Sequence, residues 1–270
     1  MKIVSFNVNG LRSRLHALER LVATLAPEII GLQETKVQDA DFPHDAIRAL
    51  GYHACCFGQK THYGVALLSR QPPAEVVYGL PGEGDDAQRR LIAARYQLAG
   101  APLWVLNGYF PQGESRDHPQ KFPTKAAFYA GLNDLLRQRF SPEQPLVVLG
   151  DFNVAPQDSD VGIGDDNAKR WLRTGKCSFL PEERQWYQQL LDWGLVDSWR
   201  RQHPDDDGHF SWFDYRSRGF EQQPKRGLRI DHLLATPVLL DRCVATGIDY
   251  ALRAGERPSD HCPVWAEFAR

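Results

Sequence analysis

The sequence predicts a mixed α/β domain in which two β-sheets pack face to face with helices outside. Three observations predict it. Strand-like apolar runs fill both halves of the 270-residue chain, helical stretches are few and long, and no repeat, linker or low-complexity tract divides it.

Ile3 to Phe6 reads as the first strand and ends in Asn7-Val8-Asn9-Gly10. Leu15, Leu18, Leu21, Val22 and Leu25 then follow helical spacing, with Pro27 just past the end. Glu28 to Leu32 is a second strand, closed by Gln33-Glu34-Thr35-Lys36. Strand, helix and strand in this order predict neighbouring strands under a covering helix. Residues 52–57, 64–69, 74–78, 91–98 and 102–109 form five more strand-like segments joined by short turns. With no long helix between them, an antiparallel stretch is expected.

Gln112 to Pro123 reads as a polar loop, and Phe128, Leu132, Leu135 and Leu136 mark a second amphipathic helix. Leu146 to Leu149 is an apolar run ended by Gly150, as expected of a strand buried on both faces. Asp151, Phe152 and Asn153 follow directly, and a buried strand can hold such groups accurately against a substrate. Beyond a polar loop to Asn167, Trp171 and Leu172 suggest a short helix. Pro181 at a favoured first position, with Glu182 and Glu183 in the first turn, opens another. Its buried side is Trp186, Leu190 and Trp193, and Gly194 ends it. Residues 196–199 and 210–215 read as extended, and Leu228 to Leu234 as a strand with Asp231 inside it. Ser259-Asp260-His261-Cys262-Pro263 leads into a last strand, Val264 to Phe268.

The net charge of −2 gives no global attraction to a polyanion, so a nucleic acid would have to be met by local basic patches. Five cysteines without a C-x-x-C pair argue against a disulfide scaffold or a zinc site. They favour a reducing compartment, and the cytoplasm is the expected location. No charged and apolar leader precedes Ile3, and no apolar run is long enough to span a bilayer, so no membrane partner is expected.

Polar groups recur at strand ends: Asn7, Asn9, Glu34, Tyr109, Asp151, Asn153, Asp231, Asp260 and His261. Strands packed side by side can bring such ends to one rim. Carboxylates, amides and one imidazole there would suit a hard divalent cation that keeps several waters. A phosphate is its natural companion. Each residue also has a plainer role. The asparagines are ordinary turn residues, Glu34 a surface charge, Tyr109 a packing ring, and His261 one of nine histidines. Asp231, amid Ile230, Leu233 and Leu234, calls for a partner such as a histidine. Two basic clusters stand beside aromatics. Lys169, Arg170, Arg173 and Lys176 surround Trp171; Arg216, Arg218, Lys225, Arg226 and Arg229 follow Trp212, Phe213 and Tyr215. Cations with aromatics fit a phosphate backbone carrying an unstacked base or sugar. They equally fit a solvated face over an aromatic core.

Seven ordered motifs carry a resemblance that spans the chain: residues 5–12 (SFNVNGLR), 31–36 (GLQETK), 107–113 (NGYFPQG), 150–153 (GDFN), 210–216 (FSWFDYR), 228–231 (LRID) and 259–261 (SDH). They resemble the exonuclease III type of abasic-site endonucleases, within the endonuclease/exonuclease/phosphatase superfamily. Lys169 to Trp186 is similar to the bacterial branch in particular. The resemblance implies a four-layered αββα sandwich, two mixed sheets between helices, as one domain over residues 1–270. It implies Mg²⁺- or Mn²⁺-dependent phosphodiester hydrolysis on double-stranded DNA, with a monomer as the acting form. Implied activities are incision 5′ to abasic sites, 3′→5′ exonuclease action and removal of 3′ phosphate or phosphodiester blocks.

By the same resemblance Glu34 is the main metal ligand, with Asn7 beside it and Asp260 assisting. Asp151, oriented by Asn153, handles the water or the leaving oxygen, and both stand near the metal. His261, held by Asp231, binds the phosphate, and Tyr109 hydrogen-bonds it. Trp212 and Leu228 wall the sugar pocket, while Gln112, Lys121, Arg170 and Arg216 grip the backbone. Some relatives carry Asp where this chain has Asn9, so one metal site is expected rather than two. The open alternatives are a superfamily nuclease without damage specificity, a phosphatase of inositol phosphates or nucleotides, and a DNA-binding module without catalysis.

Overall fold

The computed structural model of the chain describes residues 1–84, 86–98 and 101–269. The elements are, in order, β1 (Lys2–Asn7), α1 (Leu15–Leu25), β2 (Ile29–Gln33), α2 (His44–Ala49), β3 (His53–Phe57), β4 (Val65–Ser69), β5 (Glu75–Tyr78), β6 (Leu91–Leu98), β7 (Ala101–Tyr109), α3 (Lys121–Arg139), β8 (Leu146–Asp151), α4 (Asp165–Thr174), α5 (Pro181–Trp193), β9 (Val196–Asp197), α6 (Ser198–Gln202), β10 (Asp231–Ala235), α7 (Pro237–Leu240), β11 (Cys243–Ile248), α8 (Tyr250–Arg253) and β12 (Val264–Phe268). Among the described residues no helix is long and apolar enough to cross a membrane.

Two six-stranded sheets result, in the orders β11-β12-β1-β2-β4-β3 and β5-β6-β7-β8-β10-β9. The pairs β1/β2 and β7/β8 are parallel, and the other pairs are antiparallel. The first sheet is drawn from both ends of the chain, whereas the second is one continuous stretch from Glu75 to Ala235.

Side chains alternate between the faces of each strand. Ile3, Ile29, Val65 and Leu67 of the first sheet meet Ile92, Val105, Val147 and Leu149 of the second in one core. Their neighbours Val4, Phe6, Ile30 and Leu32 pack outward under Leu18 and Leu21 of α1. Leu106, Val148 and Leu234 pack outward under α3 and α5 through Phe128, Leu132, Leu136, Tyr187 and Leu190. The layers are therefore helix, sheet, sheet, helix. Strands covered on both faces need unbroken apolar runs, which is why β2 and β8 were legible.

A polar bolt crosses the inter-sheet core. The Asn107 amide on β7 donates to Leu32 O at 2.9 Å and Ala66 O at 2.8 Å, and its oxygen accepts from Gln33 Nε2 at 2.7 Å. Buried amides left without partners are costly, so this set favours one register between the sheets. The sheets approach closely enough there to require glycine at position 31: a Cβ would meet Leu149 Cδ1 at 2.2 Å.

Several expectations are corrected. The middle antiparallel stretch divides, because β3 and β4 join the first sheet and β5 to β7 the second. Helix α3 starts at Lys121, so Pro123 lies in its first turn, where a missing N–H is harmless. Residues 196–199 give only the two-residue β9, since Asp197 accepts the Arg200 N–H and caps α6. Residues 210–215 form no named strand; Trp212 makes isolated bridges to Leu228 and His261. On α5, Tyr187, Leu190 and Glu183 are the buried residues, while Trp186 and Trp193 are half-buried. The short α2, α6, α7 and α8 and the half-exposed edge strand β11 carried too little apolar signal to be read.

Candidate active site

Strand register assembles the site. On the second sheet Asp151 ends β8 directly opposite Tyr109 on β7 and Asp231 on β10. On the first sheet Asn7 ends β1 opposite Gln33, so Glu34 emerges one residue further along the same rim. The loop before β12 adds Asp260 and His261, tied in by the Ser259 hydroxyl, which donates to Asn7 O at 2.7 Å. Phe152 turns away into the helix-side core and stacks on Phe110 with centroids 4.2 Å apart, which leaves its neighbours Asp151 and Asn153 facing the rim. Asn9, Glu34 and Asn153 all have left-handed backbones, with φ of 46°, 51° and 52°. Such strain in non-glycine residues persists only where the surroundings over-determine it.

One oxygen or nitrogen from each of Glu34, Asp151 and His261 lies within 4.8 Å of the other two. Asn7 Nδ2 donates to Glu34 Oε1 at 3.0 Å and to Asp151 Oδ2 at 2.9 Å. His261 Nδ1 meets both oxygens of Asp231, at 3.0 and 2.9 Å, and its Nε2 faces Asp151 Oδ2 at 3.8 Å. The Ser211 hydroxyl accepts the N–H groups of Ile230 and Asp231, both at 3.0 Å. Asn153 donates its backbone N–H to Asp151 Oδ1 at 3.0 Å and its side-chain amide to Phe110 O at 2.9 Å. Asp260 accepts from Asn9 Nδ2 at 2.9 Å and from the Trp212 indole at 3.0 Å. The Lys36 ammonium joins Asn9 Oδ1, at 2.6 Å, to Glu34, at 3.0 Å.

The electrostatics follow from burial and proximity. Burial pushes the Asp151 carboxyl up to about 7; His261 opposes this, and Asp231 and Glu34 add to it. Burial alone would lower His261, but Asp231 and Asp151 outweigh it and raise the imidazole to about 10. Burial would raise Glu34 and Asp260 too. Asn7, Lys36 and His261 hold Glu34 below its ordinary value, and His261, Asn9 and Trp212 do the same for Asp260. Burial, with Glu34 and Asp151 behind it, lifts the Tyr109 phenol well above its ordinary value.

The rim opens into a cleft of about 560 Å³. Its floor is Glu34, Tyr109, Asp151, Asn153, Asp260 and His261, one wall is Trp212 and Leu228, and Gln112, Arg170 and Arg216 stand around it. Thus nearly every anticipated residue converges. Lys121 does not: it lies outside the cleft lining and pairs with Glu114 at 2.5 Å. Asn7, expected beside Glu34 at the metal, presents its amide nitrogen to the two acids, while its oxygen accepts the Asn9 N–H at 3.0 Å. Asp260 stands beside the three-group cluster rather than in it. Arg229 leaves the basic cluster altogether. It is 1 % exposed and pairs with Asp160 and Asp197, so no phosphate can reach it.

The sequence reading missed two supports. The Arg90 guanidinium lies 4.3 Å from the Tyr63 ring and 4.6 Å from the Tyr109 ring, a contact with no local signature. Lys125 is a fully buried charge on the core face of α3, and that break in the apolar stripe was its only signal.

As for the donor set, two carboxylates at close range, one of them buried and driven toward neutrality, fit a hard cation whose charge would relieve both.

Comparison with known proteins agrees with this fold. Residues 4–261 match the model of the endonuclease/exonuclease/phosphatase family. The chain is 54% identical to exodeoxyribonuclease III of Haemophilus influenzae, over 99% of this chain and 100% of that protein. It superposes on a Neisseria 3′ phosphatase bound to a product DNA hairpin with a TM-score of 0.90 at 43% identity, over 100% of both chains. The TM-score is also 0.90, at 36% identity and with complete coverage of both chains, for an AP endonuclease from Archaeoglobus fulgidus.

Proposed function

The chain belongs to the endonuclease/exonuclease/phosphatase family, and from that premise we propose a DNA-repair nuclease that hydrolyses phosphodiesters in double-stranded DNA with Mg²⁺ or Mn²⁺. Its substrates are abasic sites, cut on the 5′ side, and 3′ ends, from which it removes nucleotides or blocking phosphate and phosphodiester groups. The observation that carries the reading is the convergence of Glu34, Asp151 and His261 at the foot of a cleft walled by Trp212 and Leu228.

Glu34 and Asp151 would hold the cation, which supplies charge neutralisation at the phosphate when bound. His261, kept protonated by Asp231, donates from Nε2 to a phosphate oxygen. Tyr109 offers its phenolic O–H to the same phosphate. Asp151, lifted toward neutral pH and aligned by the Asn153 N–H, is suited to move a proton to or from the reacting oxygens. Asn7 spaces the two acids, and Asn9 and Trp212 hold Asp260. Trp212 and Leu228 receive the sugar of an extruded abasic nucleotide, and Arg170 and Arg216 bind the backbone on either side. The acting form is taken as a monomer, since the proposed chemistry needs no residue from a second chain. Five unpaired thiols support the cytoplasm as its compartment.

The test is a duplex carrying one synthetic abasic site, incubated with Mg²⁺ and with EDTA. Metal-dependent nicking at that site is the expected result. Binding without nicking, or phosphate release from inositol phosphates in place of any action on DNA, would overturn the reading.

A further inference from the structure

We propose that Lys125 is a positioning residue for the reaction, acting through Asn153. Its side chain has no exposed surface, and neither has that of its partner Glu183. The ammonium donates to three oxygens: Glu183 Oε1 at 2.5 Å, Asn153 O at 2.8 Å and Gln112 O at 3.2 Å. The two carbonyls belong to different loops of the cleft, one following β7 and one following β8. The other Glu183 oxygen accepts the Leu180 N–H at 2.8 Å, so the pair is anchored to the start of α5.

A fully buried ion pair contributes little net stability, because desolvating two charges offsets their attraction. What it supplies is geometry. Asn153 sits in the left-handed conformation, and its N–H is what aligns Asp151. The Lys125 bond to the Asn153 carbonyl fixes the far side of the same residue. Asn153 is thereby held at three points: its N–H on Asp151, its amide on Phe110 O and its carbonyl on Lys125.

The inference rests on the nuclease reading. Its test uses Lys125→Met combined with Glu183→Gln, which leaves no buried charge unpaired. Turnover of an abasic duplex with Mg²⁺ is measured in the natural background and on top of Asp151→Ala, which removes the carboxylate that the Asn153 N–H aligns. The expected variant melts cooperatively, keeps KM within about threefold and loses roughly ten- to a hundredfold in kcat. On the Asp151→Ala background the same pair of changes should cost less than about threefold further, since residues acting as one unit are not additive. Equal fold-losses in both backgrounds, kcat near that of the unmodified protein, or loss of cooperative melting would each overturn the proposal. An unmodified protein that fails to cut would overturn the nuclease reading, and this inference with it.

Discussion

His261 Nε2 stands 3.8 Å from Asp151 Oδ2 while its Nδ1 is held by both oxygens of Asp231. The imidazole is thus fixed between two buried acids that come from neighbouring strands. One acid orients it, and the other shares the space a phosphate would enter. Asp151→Asn and His261→Asn should therefore each lower nicking by about 10²–10⁴-fold, the range for a displaced proton-transfer or charge-stabilising group. Gel-shift affinity for abasic duplex should persist in both. Turnover close to that of the unmodified protein in either variant removes that residue from the chemistry.

The same burial has a cost in stability. The folded Asp151 carboxyl is raised from an ordinary 3.8 to about 7. Below pH 3.8 it is protonated folded or unfolded and makes no difference. Between 3.8 and about 7 the unfolded chain ionises first, so folding stability declines as pH rises. His261, raised to about 10 from 6.5, continues the decline: its contribution is complete below pH 6.5 and is lost toward 10. In metal-free buffer, Asp151→Asn should gain thermal stability relative to the unmodified protein between pH 4 and pH 7. A constant difference in Tm across that range would contradict the assigned burial penalty.

A cation that relieves those charges should be visible without catalysis. Millimolar Mn²⁺ is expected to raise Tm by several degrees, because a ligand of the native state alone stabilises it by mass action. EDTA should reverse the rise, and Glu34→Gln should abolish most of it. An undiminished rise in Glu34→Gln would place the cation elsewhere.

Trp212 walls the cleft and also donates its indole N–H to Asp260 at 3.0 Å. Trp212→Ser removes both and should depress abasic incision more than removal of a 3′ phosphate. Trp212→Phe keeps a ring and should lose less incision. Measured as kcat/KM on the two substrates, equal losses for both reactions would refute the pocket assignment.

Much of this site was legible in the chain because its chemistry lies directly after strands that carry unbroken apolar runs. Leu146–Leu149 announces Asp151, and Ile29–Leu32 announces Glu34, since a run covered on both faces leaves few other readings. Asp231 asked for a partner by being a carboxylate among aliphatics, and His261 answers it at 2.9 Å. What stayed hidden depends on tertiary approach. Nothing local in Arg229 distinguishes it from the basic residues around it until Asp160 and Asp197 close over it. The place of Lys121, outside the cleft lining and beside Glu114 at 2.5 Å, likewise has no local signature. The division of the antiparallel middle between two sheets depends on which strands each hairpin pairs with, and Val65 and Ile92, on opposite sides of one core, look alike in sequence.

The first sheet takes its strands from residues 2–69 and 243–268, and the second is complete by Ala235. As a ribosome extends the chain, Glu34 and Asp151 are thus made early but stay without their imidazole. The segment bearing His261 emerges last among those that build the rim, together with β12, the partner that β1 waits for. A nascent chain therefore lacks the complete constellation until β12 and the loop before it have been made.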